Sequence, residues 1–253
     1  MLAAWLKKHY VLLWWSLFLL FALPAVSLLW MYLGHSLGIH PLRTLQHDTG
    51  KWALTFLLLS LLITPLRRGL ARMSKYLHSS YGKRLSDWNW IIRLRRMIGL
   101  YAFFYACLHL FVFMHFDIGW DWLATLEETE EKPYILAGVS AFLLLLPVAF
   151  SSTNGMMRRL GKNWRRLHRL VYLITILVLL HYWWQMRLGV YSPWPYTAFA
   201  IYLLGYRLIV YLGWFIEPPA DDGMEVAAQD GRVTGNERRM ASQATVGMDP
   251  ITR

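Results

Sequence analysis

Apolar residues come in long blocks separated by short polar stretches, at Val11 to Leu33, Trp52 to Leu66, Met97 to Phe116, Pro133 to Phe150, Gly161 to Trp184 and about Pro195 to Ile216. All but the second of these blocks are long enough to cross a bilayer, and they lack the narrow stripe of an amphipathic surface helix. The pattern predicts an all-α, polytopic membrane bundle of six transmembrane helices. The 15 residues from Trp52 to Leu66 would span only about 22 Å, short of a ~30 Å hydrocarbon core. The second helix is therefore expected to start near Pro41 or Thr44 and to end at Pro65, which puts His47 at the membrane border. Pro24 predicts a kink in the first span. That span is too long for a signal-peptide core, so it reads as an uncleaved anchor. LSDWNWIIRLRR, before the third span, is expected to lie in the membrane interface.

From Glu217 the apolar runs stop and Gly, Asp and Ala dominate. Two parts are expected: a transmembrane domain over 1–216 and a disordered tail over 217–253.

Composition excludes an ordinary soluble domain, since 57% of the residues are hydrophobic. The net charge of +11 would suit nucleic acid if it were spread over one surface, but it is not. With the N-terminus, the Arg67–Arg96 loop, the Arg158–Arg169 loop and the tail on one side, 21 cations lie there against four on the other (Arg43, Lys51, Lys132 and Arg187). This positive-inside imbalance places both termini in the cytoplasm and argues for membrane lipid, not nucleic acid, as the neighbour. The other side carries an acidic run, Asp117 to Glu131, either a docking face for a partner or a solvated charge run. The single cysteine, Cys107, excludes an intramolecular disulfide, covalent C-x-x-C-H haem attachment and a cysteine-ligated iron–sulfur cluster.

Histidines remain the candidates for chemistry. His109 follows the cation Arg96 by 13 residues and His181 follows Arg169 by 12, so both sit ~18–20 Å along parallel helices from the same boundary. Two imidazoles at one depth can be buried polar residues bonded to backbone, or can clamp one iron from opposite faces as in a low-spin b-type haem. Matched depth favours ligation, because ionisable groups inside a membrane are costly and functional by default. His168 lies at the charged start of the same helix as His181, and 13 residues of ideal helix leave the two about 140° apart. A kink or π-bulge would be needed to bring them to one face. A second haem would need a ligand about 14 residues before His109, where the chain has Arg95. His115 points away from His109 on an ideal helix, and His9, His35, His40 and His78 read as surface residues. No phosphate loop, H-E-x-x-H helix or nucleophile–base motif is present. Apart from haem binding, the pattern leaves open a transporter or channel using intramembrane histidines for proton relay or substrate binding, and an anchoring subunit without cofactor.

RLRRMIGLYAFFYACLHLFVF, FSSTNGMMRRLGKNWRRLHRLVYLITILVLLHYWW and LQHDTGKWAL with LLITPL resemble the MsrQ (YedZ) family of haem-binding membrane subunits, within the ferric-reductase-like transmembrane superfamily. The resemblance covers roughly residues 42–184. It implies a bacterial inner-membrane protein carrying haem b, one or two per chain, with FMN as a further cofactor. Electrons would come from the quinone pool or a cytoplasmic flavin reductase. They would go to a periplasmic molybdopterin-containing MsrP-like reductase that repairs oxidised methionines, so that this chain is an electron-transfer subunit and not itself an enzyme. By motif, His109, His168 and His181 are implied as the haem-associated histidines.

Overall fold

A computed structural model of the chain describes residues 9–78, 82, 84–185 and 192–216. The described residues are helical, without strands: α1 (Tyr10–Leu33), α2 (Pro41–Tyr76), a 3₁₀ turn (Leu85–Trp88), α3 (Asn89–Val112), a π turn (Phe113–Asp117), α4 (Trp122–Glu131), α5 (Pro133–Phe150), α6 (Asn154–Leu160), α7 (Lys162–Leu167), α8 (Leu170–Gln185) and α9 (Trp194–Ile216). Six helical segments are long and apolar enough to cross a membrane, as the block pattern predicts. The expected tail, 217–253, lies outside the described residues. The chain divides into two units at Tyr206/Arg207, and the bundle below belongs to the first.

Three element boundaries differ from expectation. Helix α2 does not stop at Pro65 but continues through it to Tyr76. Proline removes one ladder bond, and here the helix tolerates the loss; two residues on, the Arg67 side chain donates to the Leu85 carbonyl at 3.0 and 2.8 Å and to Asn89 Oδ1 at 2.8 Å. The second half of LSDWNWIIRLRR is the first turns of α3, continuous with the third span. The fifth span is broken, because α7 ends at Leu167 and α8 begins only at Leu170.

Two helix pairs make the framework. Helix α2 packs along α3 and α5 packs along α8, and the pairs meet where α3 touches α5 and α2 touches α8. The buried centre includes Phe56, Leu58 and Leu61 of α2, Tyr101 and Tyr105 of α3, Ala141 of α5 and Ile174 of α8. Large exposed apolar side chains such as Leu12, Leu19 and Trp30 on α1 fit a lipid surface.

Helix α1 is fastened to this framework by tyrosines. The Tyr101 hydroxyl donates to the Phe18 carbonyl at 2.6 Å. The Tyr105 hydroxyl donates to the Phe21 carbonyl at 2.8 Å and accepts from the Ala25 amide at 3.0 Å. In an unbroken helix those two backbone groups pair with each other. Pro24, inside α1, lacks an amide hydrogen and leaves the Leu20 carbonyl without its ladder donor, so the helix is weakened beside these two groups, and the tyrosine gives each of them a partner there.

Candidate functional site

Where the two pairs meet, a cavity of about 1100 Å³ opens, above the range of about 300–1000 Å³ common for small-molecule sites. Its walls are apolar, with Leu54 and Leu57 of α2, Ala102 and Ala106 of α3, Phe142 and Leu145 of α5 and Ile174 and Val178 of α8. Its polar lining comes from helix ends: Arg43, Gln46, His47 and Lys51 of α2, Asp117 of the π turn, Glu128 of α4 and Lys132 before α5. Arg43, Lys51 and Lys132, three of the four cations on the cation-poor side, thus gather at one cavity. Lys132 is bonded to Glu128, and that bond raises its pKa above the usual ammonium range. Alanines on α3 are what allow this volume, since larger side chains there would fill it.

His109 and His181 project into the cavity from opposite pairs. Their ring centroids are 6.0 Å apart and their planes nearly perpendicular, at 85°. Two imidazoles bonding one first-row metal at about 2 Å from opposite sides put their centroids roughly 6 Å apart. Each ring is held by the partner helix of its own pair. His109 Nδ1 donates to the Gln46 carbonyl of α2 at 2.9 Å and lies 3.3 Å from Thr49 Oγ1. His181 Nδ1 donates to the Tyr134 carbonyl of α5 at 2.6 Å. A carbonyl oxygen can only accept, so each Nδ1 carries the hydrogen and each Nε2 carries the lone pair. That is the tautomer a metal-binding histidine needs, fixed by an outer partner.

The donor set limits what the pair can hold. Among the described residues no three His, Cys, Asp or Glu side chains cluster to bind a metal ion. The two imidazoles therefore suit a metal that brings its remaining ligands with it, as in a flat macrocycle. Gln46 lines the cavity, and its buried Oε1 has no hydrogen-bonding partner in the protein.

His168 lies elsewhere, at the interruption between α7 and α8. Its Nδ1 donates to the Trp164 carbonyl at 3.1 Å, its Nε2 lies 3.5 Å from Ser152 Oγ, and its ring lies over the Trp164 indole at 4.0 Å. Trp164 Nε1 donates in turn to the Ser151 carbonyl at 3.1 Å. The helix break at this point does not turn His168 toward the cavity, which it does not line.

A π turn does occur in the chain, at the C-terminal end of α3, and it includes His115. His115 is exposed, stacks on Phe111 at 5.5 Å and accepts from Trp120 Nε1 at 3.1 Å. His40 and His47, by contrast, line the cavity. Neither Gln46 nor Tyr134 stands out in sequence, because each acts through its main-chain carbonyl and any residue type would supply one.

Helix bundle, cavity and paired histidines define a polytopic membrane protein built around a cofactor-sized site. The chain belongs to the ferric-reductase-like transmembrane family, whose model matches residues 49–179. That span opens beside the His109 contacts and closes two residues before His181. The chain is 48% identical over 170 residues to the protein-methionine-sulfoxide reductase heme-binding subunit MsrQ of Herminiimonas arsenicoxydans, covering 67% of this chain and 71% of that one. It is 42% identical over 179 residues to the MsrQ heme-binding subunit of Xanthomonas euvesicatoria pv. vesicatoria, covering 71% and 75%. No solved structure matches it.

Proposed function

We propose that this protein is the membrane electron-transfer subunit of a methionine sulfoxide reductase system, with a b-type haem between His109 and His181. One observation carries the reading: the two imidazoles face one cavity at 6.0 Å, each with Nδ1 tied to a backbone carbonyl. The relatives named as heme-binding subunits support it. When bound, the haem supplies a one-electron store within the apolar part of the bilayer.

The chain's own residues do the rest. His109 and His181 offer Nε2 lone pairs, while Gln46, Thr49 and Tyr134 hold the rings in place. Leu54, Leu57, Leu145 and Ile174, which line the cavity, would exclude water from the bound group. Arg43, Lys51 and Lys132 are the groups that would pair with propionates, through charge-assisted bonds. In this reading the protein sits in the bacterial inner membrane with both termini in the cytoplasm. His168 and the neighbouring arginines form the side where electrons enter from the quinone pool or a cytoplasmic flavin donor, with FMN as a further cofactor at that face. His168 becomes the ligand of a second haem only with a partner other than Arg95. Electrons leave on the side of α4, whose acids Glu127, Glu130 and Glu131 offer a docking face to a periplasmic molybdopterin-containing, MsrP-like subunit. That subunit, and not this chain, would reduce methionine sulfoxide.

An absorption spectrum of the full chain purified from haem-replete cells tests the reading. A Soret band with sharp α and β bands on reduction is expected. A colourless, folded preparation overturns it and leaves proton relay or transport through the same histidines as the better account.

A further inference from the structure

Both histidines of the cavity rest on the same local device, repeated on two helices. In α2 the carbonyl that receives His109 belongs to Gln46, and four residues on, one turn along the same face, stands Gly50. In α5 the carbonyl that receives His181 belongs to Tyr134, and four residues on stands Gly138. A Cβ at Gly50 would lie 3.0 Å from His109 Cε1 and 3.1 Å from its Nδ1. A Cβ at Gly138 would lie 2.8 Å from His181 Nδ1 and 3.0 Å from its Cε1.

Glycine is the poorest ordinary helix former, so a glycine inside a helix asks for a reason. At Gly69, Gly99, Gly155 and Gly205 a Cβ would meet nothing within 4 Å. Only at Gly50 and Gly138, among the described glycines inside helices, does it meet a side chain, and in both cases that side chain is an imidazole of the pair. The geometry of an α-helix explains the offset. The carbonyl of residue n points along the axis toward residue n+4, so the Cβ at n+4 is the atom best placed to obstruct a ring approaching that carbonyl from the side.

We propose that Gly50 and Gly138 are positioning residues: each leaves open a seat in which an imidazole lies against the helix backbone and donates Nδ1–H to the carbonyl four residues earlier. The seat sets the tautomer, the ring plane and the basicity of Nε2. An imidazole that donates from Nδ1 is the more electron-rich ligand, and outer partners of this kind commonly alter metal affinity about 10–100-fold when removed. This inference rests on the haem reading for its consequences, but the seat itself is a property of the protein alone.

The test uses the full chain with Gly50→Ala, Gly138→Ala and, as a control on α3, Gly99→Ala. In haem-depleted protein labelled with ¹⁵N-histidine, the Nδ1 protons of His109 and His181 should be visible and slow to exchange. Gly138→Ala should abolish the His181 signal and Gly50→Ala should weaken that of His109, with Gly99→Ala leaving both. In haem-loaded protein, Gly138→Ala should lower haem affinity about 10-fold, Gly50→Ala by less, and both should move the midpoint potential positive. Should Gly138→Ala fail to fold, Gly50→Ala, the milder clash, decides. Signals, affinity and potential indistinguishable from Gly99→Ala in both variants overturn the proposal. A wild-type protein that takes up no haem overturns the haem reading instead, and the histidine protons still decide whether the seats exist.

Discussion

His168 and the His109–His181 pair set the same side chain in two kinds of surroundings. At the basic end, His168 is wedged between Trp164 and Ser152, with one nitrogen on the Trp164 carbonyl and the other 3.5 Å from a hydroxyl. It joins the end of α5 to the break before α8. In the cavity, each ring commits Nδ1 to a carbonyl and has no hydrogen bond assigned to its remaining nitrogen. What separates a strut from a candidate ligand is therefore the engagement of the second nitrogen, and neither residue type nor burial reveals it.

Replacing His109 or His181 with Ala is the severest way to break this comparison. Complete loss of the low-spin haem spectrum is expected from either, since a single remaining imidazole cannot give a six-coordinate bis-histidine iron. Retention of the spectrum in both variants would mean the ligands lie elsewhere.

Next in size is Tyr105→Phe, which removes a strut of another chemistry. It leaves the Phe21 carbonyl and the Ala25 amide without the hydroxyl, and a loss of about 1–2 kcal/mol is expected from two bonds in a bilayer. Thermal unfolding in detergent measures it, and the haem spectrum should not change. His168→Ala should cost about 1 kcal/mol for its hydrogen bonds and leave the signal of the cavity pair intact. If it removes one of two resolved haem signals, His168 is a ligand and not a strut.

Smallest is Lys132→Ala. Its partner Glu128 sits beside it at the surface, where ion pairs contribute little, so the melting temperature should hold while haem is retained less firmly in salt-free buffer. Equal haem retention in wild type and variant would remove Lys132 from the propionate partners.

Much of the fold was legible because bilayer thickness constrains helix length strongly. Counting residues from Arg96 and Arg169 brought His109 and His181 to one depth, and the structure brings their rings together. The same counting puts Arg95, and no histidine, where a second ligand for His168 would stand. Boundaries are less legible at Pro65, because proline weakens a helix without always ending it. The carbonyl partners could not be read at all, since main-chain groups leave no trace in sequence. Gly50 and Gly138 did leave one, as glycines inside apolar helices, but only the structure distinguishes them from Gly69 or Gly99, which face open space.

The Tyr105 hydroxyl inserted at Phe21 and Ala25 also bears on how the protein is built. Synthesis delivers α1 to the membrane before α3 exists, so the turn weakened by Pro24 enters lipid without the partner that the Tyr105 hydroxyl later gives the Phe21 carbonyl and the Ala25 amide, where weakly paired backbone groups are expensive. The first span is thus left unfinished until the third arrives with its tyrosine. A chain truncated before Tyr105 should accordingly show a first span that cross-links poorly to the second and is degraded faster than in the complete protein, so the order of assembly is written into one side-chain oxygen.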